Sequence, residues 1–397
     1  MKKKLLIVSH ALELGGAERS LIGLLDALDP EAWDVELFLL RHEGELMDAI
    51  PEHITLLPQV PSYTVLARPM KTTVKEGHIL LTVARLAGKV AAKMYTEKRQ
   101  LKDSGVPLEY SHKYTCPFMP KIQPERSYDL AISFLTPHYF VARKVQAKKK
   151  IAWIHTDYSQ VRVDEKSEYA MWNAYDNIVS ISEAVTNGFL GVFPELKDKI
   201  VLIENILPEK LVRRQAEEPI ADMARKEDEK ILLSIGRFSY AKNFDNVPWI
   251  CKKIRESGVD VKWYLIGFGG DEGLIRKNIT DAGMEDHVII LGKRANPYPY
   301  IAACDLYVQP SRYEGKCVTV REAQMLGKPV VITRYATSSS QLEDGVDGVI
   351  VPMDNEGCAK KIAELLRNPD AMNKLSQKCL DRDYTNQSEA GKLKYIY

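Results

Sequence analysis

Short apolar runs alternate with helical patterns along most of the chain, and the runs fall into two series. The first series predicts strands at 5–8, 35–40, 130–134, 151–154, 177–181 and 200–203, and the second at 231–235, 261–266, 288–291, 306–309, 330–333 and 349–351. This alternation is typical of parallel sheets that are covered by helices. At 397 residues the chain is long enough for two such domains, each with its own hydrophobic core.

Residues 207–230 separate the two series. This stretch is rich in charge, carries two prolines and ends where a new strand–helix series begins, so we interpret it as a linker. The sequence therefore predicts two doubly wound α/β domains, 1–206 and 207–380, with a C-terminal tail at 381–397 that packs back on the first. Ligands of such sheets bind beyond the carboxyl ends of the strands, so two domains that face each other would form a cleft.

Residues 62–123 interrupt the pattern and are long for a connection inside a compact domain, which indicates an insertion with its own role. Between Arg68 and Lys102 this insertion contains nine Lys or Arg residues and two acidic ones, Glu76 and Glu97. Apolar residues follow helical spacing at Ile79, Val83, Leu86, Val90 and Met94, with a basic i,i+4 stripe beside them at Arg85, Lys89 and Lys93. A basic amphipathic helix of this kind suits an anionic membrane surface, and a solvated helix that caps the first sheet is the alternative.

Composition and charge exclude several function classes. The net charge is +1, which gives the chain no general attraction to nucleic acid. The six cysteines include no C-x-x-C pair, so we expect neither a zinc site nor a disulfide framework, but reduced thiols in a cytosolic protein. No apolar stretch approaches the ~20 residues that a membrane span needs, and the apolar run at 5–8 is too short for the core of a signal peptide.

The most specific pattern lies at 311–323, which reads Ser-Arg-Tyr-Glu-Gly-Lys-Cys-Val-Thr-Val-Arg-Glu-Ala. A predicted strand ends at Gln309, a polar loop follows, and a helix is expected to begin near Thr319. Backbone N–H groups at a helix start are unpaired and lie at its positive end, which suits a diphosphate or sugar hydroxyls. Glu314 and Glu322 are about two helical turns apart, so both carboxylates can face the same cleft and accept hydrogen bonds from hydroxyls.

Together with Gly-Lys-Pro-Val-Val at 327–331, this pattern resembles the E-x7-E signature of the family 4 glycosyltransferases, which have the GT-B fold. The resemblance extends over nearly the whole chain and is weakest at 62–123. It implies two Rossmann-like domains facing a central cleft, and retaining transfer of a hexose from a nucleotide diphosphate sugar, which would be UDP-linked. The acceptor that it implies is a saccharide or a polyprenyl-linked saccharide in cell-surface polysaccharide or glycolipid synthesis.

The resemblance also implies roles for individual residues. Arg237 and Lys242 would hold the donor diphosphate and stabilise its charge as it leaves. Glu322 would hold the ribose, Glu314 the sugar, and His155 a sugar hydroxyl close to the reaction centre. The catalytic set is then His155, Glu314, Arg237 and Lys242, and the donor-binding set is Gly15, Gly16, Arg237, Lys242, Arg294, Gly315, Lys316, Cys317, Val318 and Glu322.

Several of these residues also have a plainer interpretation. Glycines at 15 and 16 would let the backbone approach a phosphate closely, but a glycine pair also forms ordinary tight turns. His155 can be a structural histidine at the end of a strand. Arg237 and Lys242 can be exposed basic residues on a loop.

We expect neither a metal nor a cofactor, because the Asp-x-Asp at 381–383 lies in a polar stretch and does not follow a hydrophobic strand. Lys316 and Cys317 differ from the residues that the family more often has at these positions, which leaves the donor sugar open. Two rival functions remain at this point. One is a UDP-sugar 2-epimerase of the same fold, and the other is a non-catalytic nucleotide-sugar-binding partner.

Overall fold

The computed structural model describes residues 2–13, 15–101, 104–159, 161–314 and 317–396. The chain divides into two compact units. The first consists of Met1–Pro208 and Asn386–Tyr397, and the second of Glu209–Thr385. None of the helices in the described ranges is both long and apolar enough to cross a bilayer.

Within the described part of the first unit, seven parallel strands form one sheet in the order β3-β2-β1-β4-β5-β6-β7. The strands are β1 (Lys3–Ser9), β2 (Trp33–Leu39), β3 (Thr55–Leu56), β4 (Tyr128–Ser133), β5 (Ala147–Ile154), β6 (Asn177–Ser180) and β7 (Ile200–Leu202). The helices of this unit are α1 (Gly16–Ala27), α2 (Pro61–Thr64), α3 (Met70–Lys75), α4 (Ile79–Arg99), α5 (Val106–Thr115), α6 (Tyr139–Lys144), α7 (Glu165–Trp172) and α8 (Glu183–Leu190).

The second unit has a six-stranded parallel sheet in its described residues, in the order β10-β9-β8-β11-β12-β13. Its strands are β8 (Lys230–Ile235), β9 (Val261–Ile266), β10 (Val288–Gly292), β11 (Leu306–Gln309), β12 (Val330–Thr333) and β13 (Val349–Val351). Its helices are α9 (Glu209–Ala216), α10 (Val247–Glu256), α11 (Glu272–Ala282), α12 (Tyr298–Ala303), α13 (Val318–Met325), α14 (Ser338–Gln341), α15 (Asn355–Leu366) and α16 (Pro369–Leu380).

Each sheet lies inside its own hydrophobic core. Leu6 on β1, Ala131 on β4 and Ile178 on β6 belong to the core of the first unit, and Leu232 and Trp263 to that of the second. Parallel strands are covered on both faces, which is why their sequences are almost continuously apolar. The predicted fold class, two Rossmann-like α/β domains with parallel sheets, is therefore confirmed.

Two elements, β3 and α9, differ from the sequence prediction. β3 contains two residues, too few for any hydrophobic run to stand out, and it was not predicted. The segment interpreted as a linker also contains α9, which belongs to the second unit. Asn296 Nδ2 donates to the carbonyl oxygen of Gln215 at 2.8 Å and so ties the end of α9 beside α12.

The insertion folds as helices α2 to α5, and its basic stripe differs from the prediction at one residue. The side chain of Arg85 turns inward, where Nη1 donates to the carbonyl oxygens of Val65 and Arg68, both at 2.5 Å. Burial lowers the pKa of this guanidinium. Arg85 therefore holds the insertion together, while Lys89 and Lys93 stay exposed.

Helix α1 packs closely against the segment that follows β7. A Cβ atom added at Gly23 would lie 2.2 Å from the carbonyl oxygen of Ile206, which is backbone and cannot turn away. The same helix receives the C-terminal 3-10 segment Gln387–Tyr395, and Glu204 N nearby donates to Glu389 at 2.9 Å. Glycine at position 23 is thus required by the packing.

We predict that Gly23→Ala lowers the free energy of unfolding of the first unit by about 1–3 kcal/mol, because the added methyl group forces the backbone apart. Gly16→Ala on the same helix is the control, since nothing lies within 4 Å of its added Cβ. That variant should be as stable as the wild type or gain up to about 1 kcal/mol from helix propensity. Urea denaturation measures both, and equal effects of the two substitutions would contradict the packing argument.

Candidate functional site

An ion pair joins two loops at the carboxyl edge of the second sheet. One loop follows β8 and carries Arg237 and Lys242, and the other follows β11 and carries Glu314. Because β8 and β11 are neighbours in the sheet, their loops lie side by side. Lys242 Nζ lies 2.5 Å from Glu314 Oε1, with both side chains largely buried. The structure thus brings together two residues that the sequence placed separately in the site.

Glu314 is held by a line of polar side chains that begins inside the sheet. Tyr307 donates to Gln309 Oε1 at 2.9 Å, Gln309 Nε2 donates to Ser311 Oγ at 2.9 Å, and Ser311 Oγ donates to Glu314 Oε1 at 2.6 Å. Burial alone would lower the pKa of Lys242, but the neighbouring Cys317 and Glu314 outweigh it and the pKa is raised. Lys242 therefore carries a firmly held positive charge.

Arg312 makes a second connection between the same loops. Its guanidinium binds the carboxylate of Asp245 with two hydrogen bonds of 2.9 and 2.7 Å and lies 4.2 Å from the ring centre of Tyr240. Asn243 Nδ2 also donates to the carbonyl oxygen of Pro310 at 2.8 Å. Sequence reasoning missed these partners, although Arg312 lies within the motif and Asp245 is three residues beyond Lys242.

The start of α13 lies directly after the Glu314 loop. Cys317 is the N-cap residue of this helix, and its side chain makes no capping hydrogen bond. The side chain of Gln341 binds the backbone of Cys317 with two hydrogen bonds: Oε1 accepts from Cys317 N at 2.7 Å, and Nε2 donates to Cys317 O at 3.2 Å. Val318 is the first helical residue and is half-buried. Gly315 and Lys316, both predicted to bind the donor, lie outside the described residues.

Glu322 lies on the inner side of α13 and is only 1% exposed. The hydroxyl of Tyr298 on α12 donates to its Oε1 at 2.7 Å. Glu322 is therefore less accessible than the spacing of the two glutamates predicted, because its carboxylate is covered inside the unit. Glu314 and Glu322 nevertheless lie on either side of the start of α13, as their spacing predicted.

The two arginines of the predicted site have different surroundings. Arg237 is exposed, and within the described ranges its guanidinium has neither a hydrogen-bond partner nor an ion-pair partner. Arg294 follows β10 and forms an ion pair with Asp222, and its Nε lies 3.0 Å from the hydroxyl of Tyr300. Arg237 is thus available to a ligand, whereas the charge of Arg294 is already balanced.

In the first unit, the predicted residues lie where strands β1 and β5 end. Gly15 is the N-cap residue of α1 and Gly16 its first residue, where an added Cβ would meet nothing within 4 Å. His155 comes directly after β5, and its ring centre lies 4.6 Å from that of Phe134. Burial lowers the pKa of His155 to about 3, so the imidazole is neutral at physiological pH.

Three further histidines, not predicted for the site, lie in the same unit; His112 and His138 are buried and His10 is half-buried. His10 directly follows β1, and its ring centre is 5.2 Å from that of His112 on α5. Burial, with a contribution from Arg41, lowers the pKa of His10 to about 4. His138 lies beyond β4, with Nδ1 2.8 Å from Ser133 Oγ, and burial keeps the pKa values of His112 and His138 well below the usual range. His10 could have been identified from the sequence, because it directly follows a strand, as His155 does.

The opposite edge of the second sheet carries a separate charged cluster. Glu229, Asp260 and His287, each directly before a strand, place one possible metal-ligand atom apiece within 4.8 Å of one another. Lys262 lies 3.5 Å from Glu229, and Arg255 forms an ion pair with Asp260. Both carboxylates are therefore already neutralised by cations, and we assign the cluster a structural role.

We predict that Gln341→Ala lowers the free energy of unfolding of the second unit by about 1–3 kcal/mol, because the buried N–H and C=O groups of Cys317 lose their partner. The adjacent, exposed Ser340→Ala serves as the control and should change stability little. Chemical denaturation measures both variants. A Gln341→Ala protein as stable as the control would show that this contact does not fix the loop.

We also predict that His155 makes the protein less stable in acid. Above pH 6.5 the folded and unfolded states are both neutral at this residue. Between pH 6.5 and the folded pKa of about 3, only the unfolded state binds the proton, so stability falls as the pH falls. From pH 7 to pH 5 this amounts to about 2 kcal/mol, and His155→Gln should lose that much less stability over the same interval.

Urea denaturation of wild type and His155→Gln at pH 8, 7 and 5 tests this prediction. The two proteins should respond alike between pH 8 and pH 7, where the residue is neutral in both states. Equal losses of stability between pH 7 and pH 5 would show that His155 titrates normally in the folded protein.

Comparison with known proteins relates the second unit to glycosyl transferases. Residues 215–381, which lie within the second unit, match the family model described as Glycosyl transferases group 1. The lipopolysaccharide core biosynthesis glycosyltransferase LpsE of Rhizobium meliloti is 29% identical over 152 residues, 38% of this chain and 44% of that protein. The N-acetylgalactosamine-N,N'-diacetylbacillosaminyl-diphospho-undecaprenol 4-alpha-N-acetylgalactosaminyltransferase of Campylobacter jejuni is 28% identical over 138 residues, 34% of this chain and 36% of that protein. The chain thus spans less than half the length of these curated relatives.

A solved structure extends the likeness of the fold to both units. The structure of HepE from Anabaena in complex with UDP-glucose has a TM-score of 0.58 and 17% sequence identity, and the match covers 99% of this chain and 100% of that one. At this identity the likeness concerns the fold alone. The two Rossmann-like units therefore have the GT-B fold, as the sequence predicted.

Proposed function

We propose that the protein is a retaining glycosyltransferase that moves a hexose from a UDP-sugar to a saccharide or lipid-linked saccharide in cell-surface polysaccharide or glycolipid synthesis. The observation that carries this proposal is the Lys242–Glu314 pair, 2.5 Å apart, beside the start of α13. A positive charge, a carboxylate and the backbone N–H groups of a helix start are kinds of group that bind a nucleotide diphosphate sugar.

The ion pair suggests how the donor is received. A diphosphate carries more negative charge than one carboxylate, so it would compete with Glu314 for Lys242. Glu314 would then be released to accept hydrogen bonds from the sugar hydroxyls. Arg237, exposed and available, would add its charge to the phosphates together with the N–H groups at Val318 and beyond. Positive charge at this point stabilises the leaving diphosphate most in the transition state.

Glu322 and His155 would orient other parts of the donor. Tyr298 holds Oε1 of Glu322 at 2.7 Å, which fixes a carboxylate that we assign to the ribose hydroxyls; because Glu322 is only 1% exposed, the ribose would reach it only after the residues that cover it move aside. His155 is neutral because burial lowers its pKa to about 3, so it can exchange hydrogen bonds with a sugar hydroxyl but does not supply a positive charge. We assign deprotonation of the acceptor hydroxyl to the departing diphosphate, which leaves from the same face. No metal or cofactor takes part in this proposal, since Arg237 and Lys242 supply the charge.

The compared proteins support individual parts of the proposal. Both relatives are named as glycosyltransferases, HepE binds UDP-glucose, and the Campylobacter relative is named for an acceptor on diphospho-undecaprenol. All six cysteines are buried and unpaired, which supports a reducing compartment. We therefore place the reaction in the cytoplasm.

The function is tested by incubating the purified protein with UDP-glucose or UDP-N-acetylglucosamine and a panel of saccharide acceptors. We expect UDP release that depends on the acceptor, and a product whose anomeric configuration, measured by NMR, equals that of the donor. Arg237→Ala should lower kcat by about 10²–10³ while UDP affinity changes less, because phosphate charge develops as the bond breaks. Arg276→Ala, an exposed arginine on α11, is the matched control and should retain full turnover.

Other outcomes would replace the proposal with one of its rivals. Release of UDP with an epimerised sugar, and without any acceptor, would identify a UDP-sugar 2-epimerase. Tight UDP binding without turnover or hydrolysis would identify a non-catalytic binding partner. A product of inverted configuration would reject the retaining mechanism.

A further inference from the structure

Helix α4 of the first unit exposes the side of its surface that carries large apolar residues. The exposed fractions of these side chains lie between 50% and 67% for Ile79, Leu80, Val83, Leu86, Val90 and Met94. All six belong to one 21-residue helix, and five of them follow i, i+3 or i+4 spacing, so they form a continuous stripe about 22 Å long. Surface helices of globular proteins normally turn such a stripe toward the core.

The opposite side of α4 explains why the stripe is exposed. Ala84, Gly88 and Ala92 are four residues apart and buried, and Gly88 and Ala92 pack against α5. A Cβ atom added at Gly88 would lie 2.8 Å from the carbonyl oxygen of Tyr110, so the two helices approach closely through small residues. The helix is thus fixed to the unit by these small side chains together with Leu81, which belongs to the core of the first unit, and the six residues of the stripe do not cap the sheet.

The charge around the stripe is positive. Lys89 and Lys93 lie on the exposed surface three residues after Leu86 and Val90, so they are direct neighbours of the stripe. Within the described residues, Lys89 has no ion-pair partner, and the ion pair of Lys93 with Glu97, at 3.7 Å, is largely exposed and therefore weak. Further exposed basic residues precede and follow the stripe at Lys71, Lys75, Lys98 and Arg99.

This combination selects among the partners that could cover an apolar helix face. A second copy of the chain would bring two positively charged surfaces together, which opposes association. An apolar protein groove would satisfy the stripe but not the lysines. A bilayer with anionic headgroups satisfies both, because the acyl region receives the apolar side chains and the phosphates receive the lysines.

We propose that α4 lies in the plane of an anionic membrane surface, with its apolar stripe between the headgroups and Lys89 and Lys93 against the lipid phosphates. The binding itself is independent of the proposed transferase activity. A lipid-linked acceptor would be the consequence for function, and this consequence alone rests on the proposed function.

The test is co-sedimentation of the full chain with vesicles of phosphatidylcholine containing 30% phosphatidylglycerol, without nucleotide, at low and high salt. Each lysine near such a surface contributes about fivefold to partitioning. The double variant Lys89→Glu, Lys93→Glu should therefore partition at least ~25-fold more weakly. Leu86→Ser with Val90→Ser should lose at least tenfold. High salt should weaken wild-type binding, because the Debye length shortens to about 3 Å at 1 M.

Lys374→Glu with Lys378→Glu makes the same charge change on exposed positions four residues apart on α16, and this control should bind as the wild type does. Circular dichroism of each variant verifies that it is folded. Failure of the wild type to bind anionic vesicles at low salt would overturn the proposal, as would equal losses in the α4 and α16 charge variants. Concentration-dependent dimerisation that Leu86→Ser with Val90→Ser abolishes, without vesicle binding, would assign the stripe to a second copy. UDP affinity is measured separately, so failure of the proposed function remains distinguishable.

Discussion

The contact between Lys242 and Glu314 depends on the order of strands in the second sheet, and much of the candidate site depends on that contact. The two residues are 72 positions apart along the chain and meet because β8 and β11 are adjacent. Once the loops are joined, the Arg312–Asp245 pair and the Asn243–Pro310 hydrogen bond follow from the same adjacency. The result is a rigid surface in which a cation and a carboxylate are positioned before any ligand arrives, which lowers the cost of ordering them on binding.

The strands were predictable because parallel strands covered on both faces carry apolar residues at nearly every position. β3 was missed because its two residues are too few for an apolar run. α9 was missed for a different reason, because its charged sequence resembles that of a linker. The predicted strand positions also located Arg237, His155 and Glu314 just beyond the carboxyl ends of strands. Their partners could not be found this way, because pairing across 72 residues depends on crossover connections that no local pattern encodes. Gln341 gave no signal, since a run of serines precedes it.

For the insertion, the periodicity correctly predicted a helix with an apolar stripe but could not indicate which side faces the protein. Side-chain size decides that question here. Gly88 and its alanine neighbours allow a close approach to α5 that larger residues would prevent. The sequence also could not indicate that Arg85 turns inward, because Arg85, Lys89 and Lys93 follow the same i,i+4 spacing but have different surroundings. Its guanidinium satisfies carbonyl oxygens that would otherwise be unpaired inside the insertion.

The position of the insertion has an evolutionary consequence. Helices α2 to α5 form part of the crossover from β3, at the sheet edge, to β4 on the far side of β1. A crossover of this kind can lengthen at small entropic cost, about 0.6 kcal/mol for each doubling of a flexible loop, while every strand keeps its neighbours. Lineages that share this sheet can therefore replace the segment as a unit. Such a replacement would change what the surface of the first unit binds, with no mutation in the residues that would hold the nucleotide.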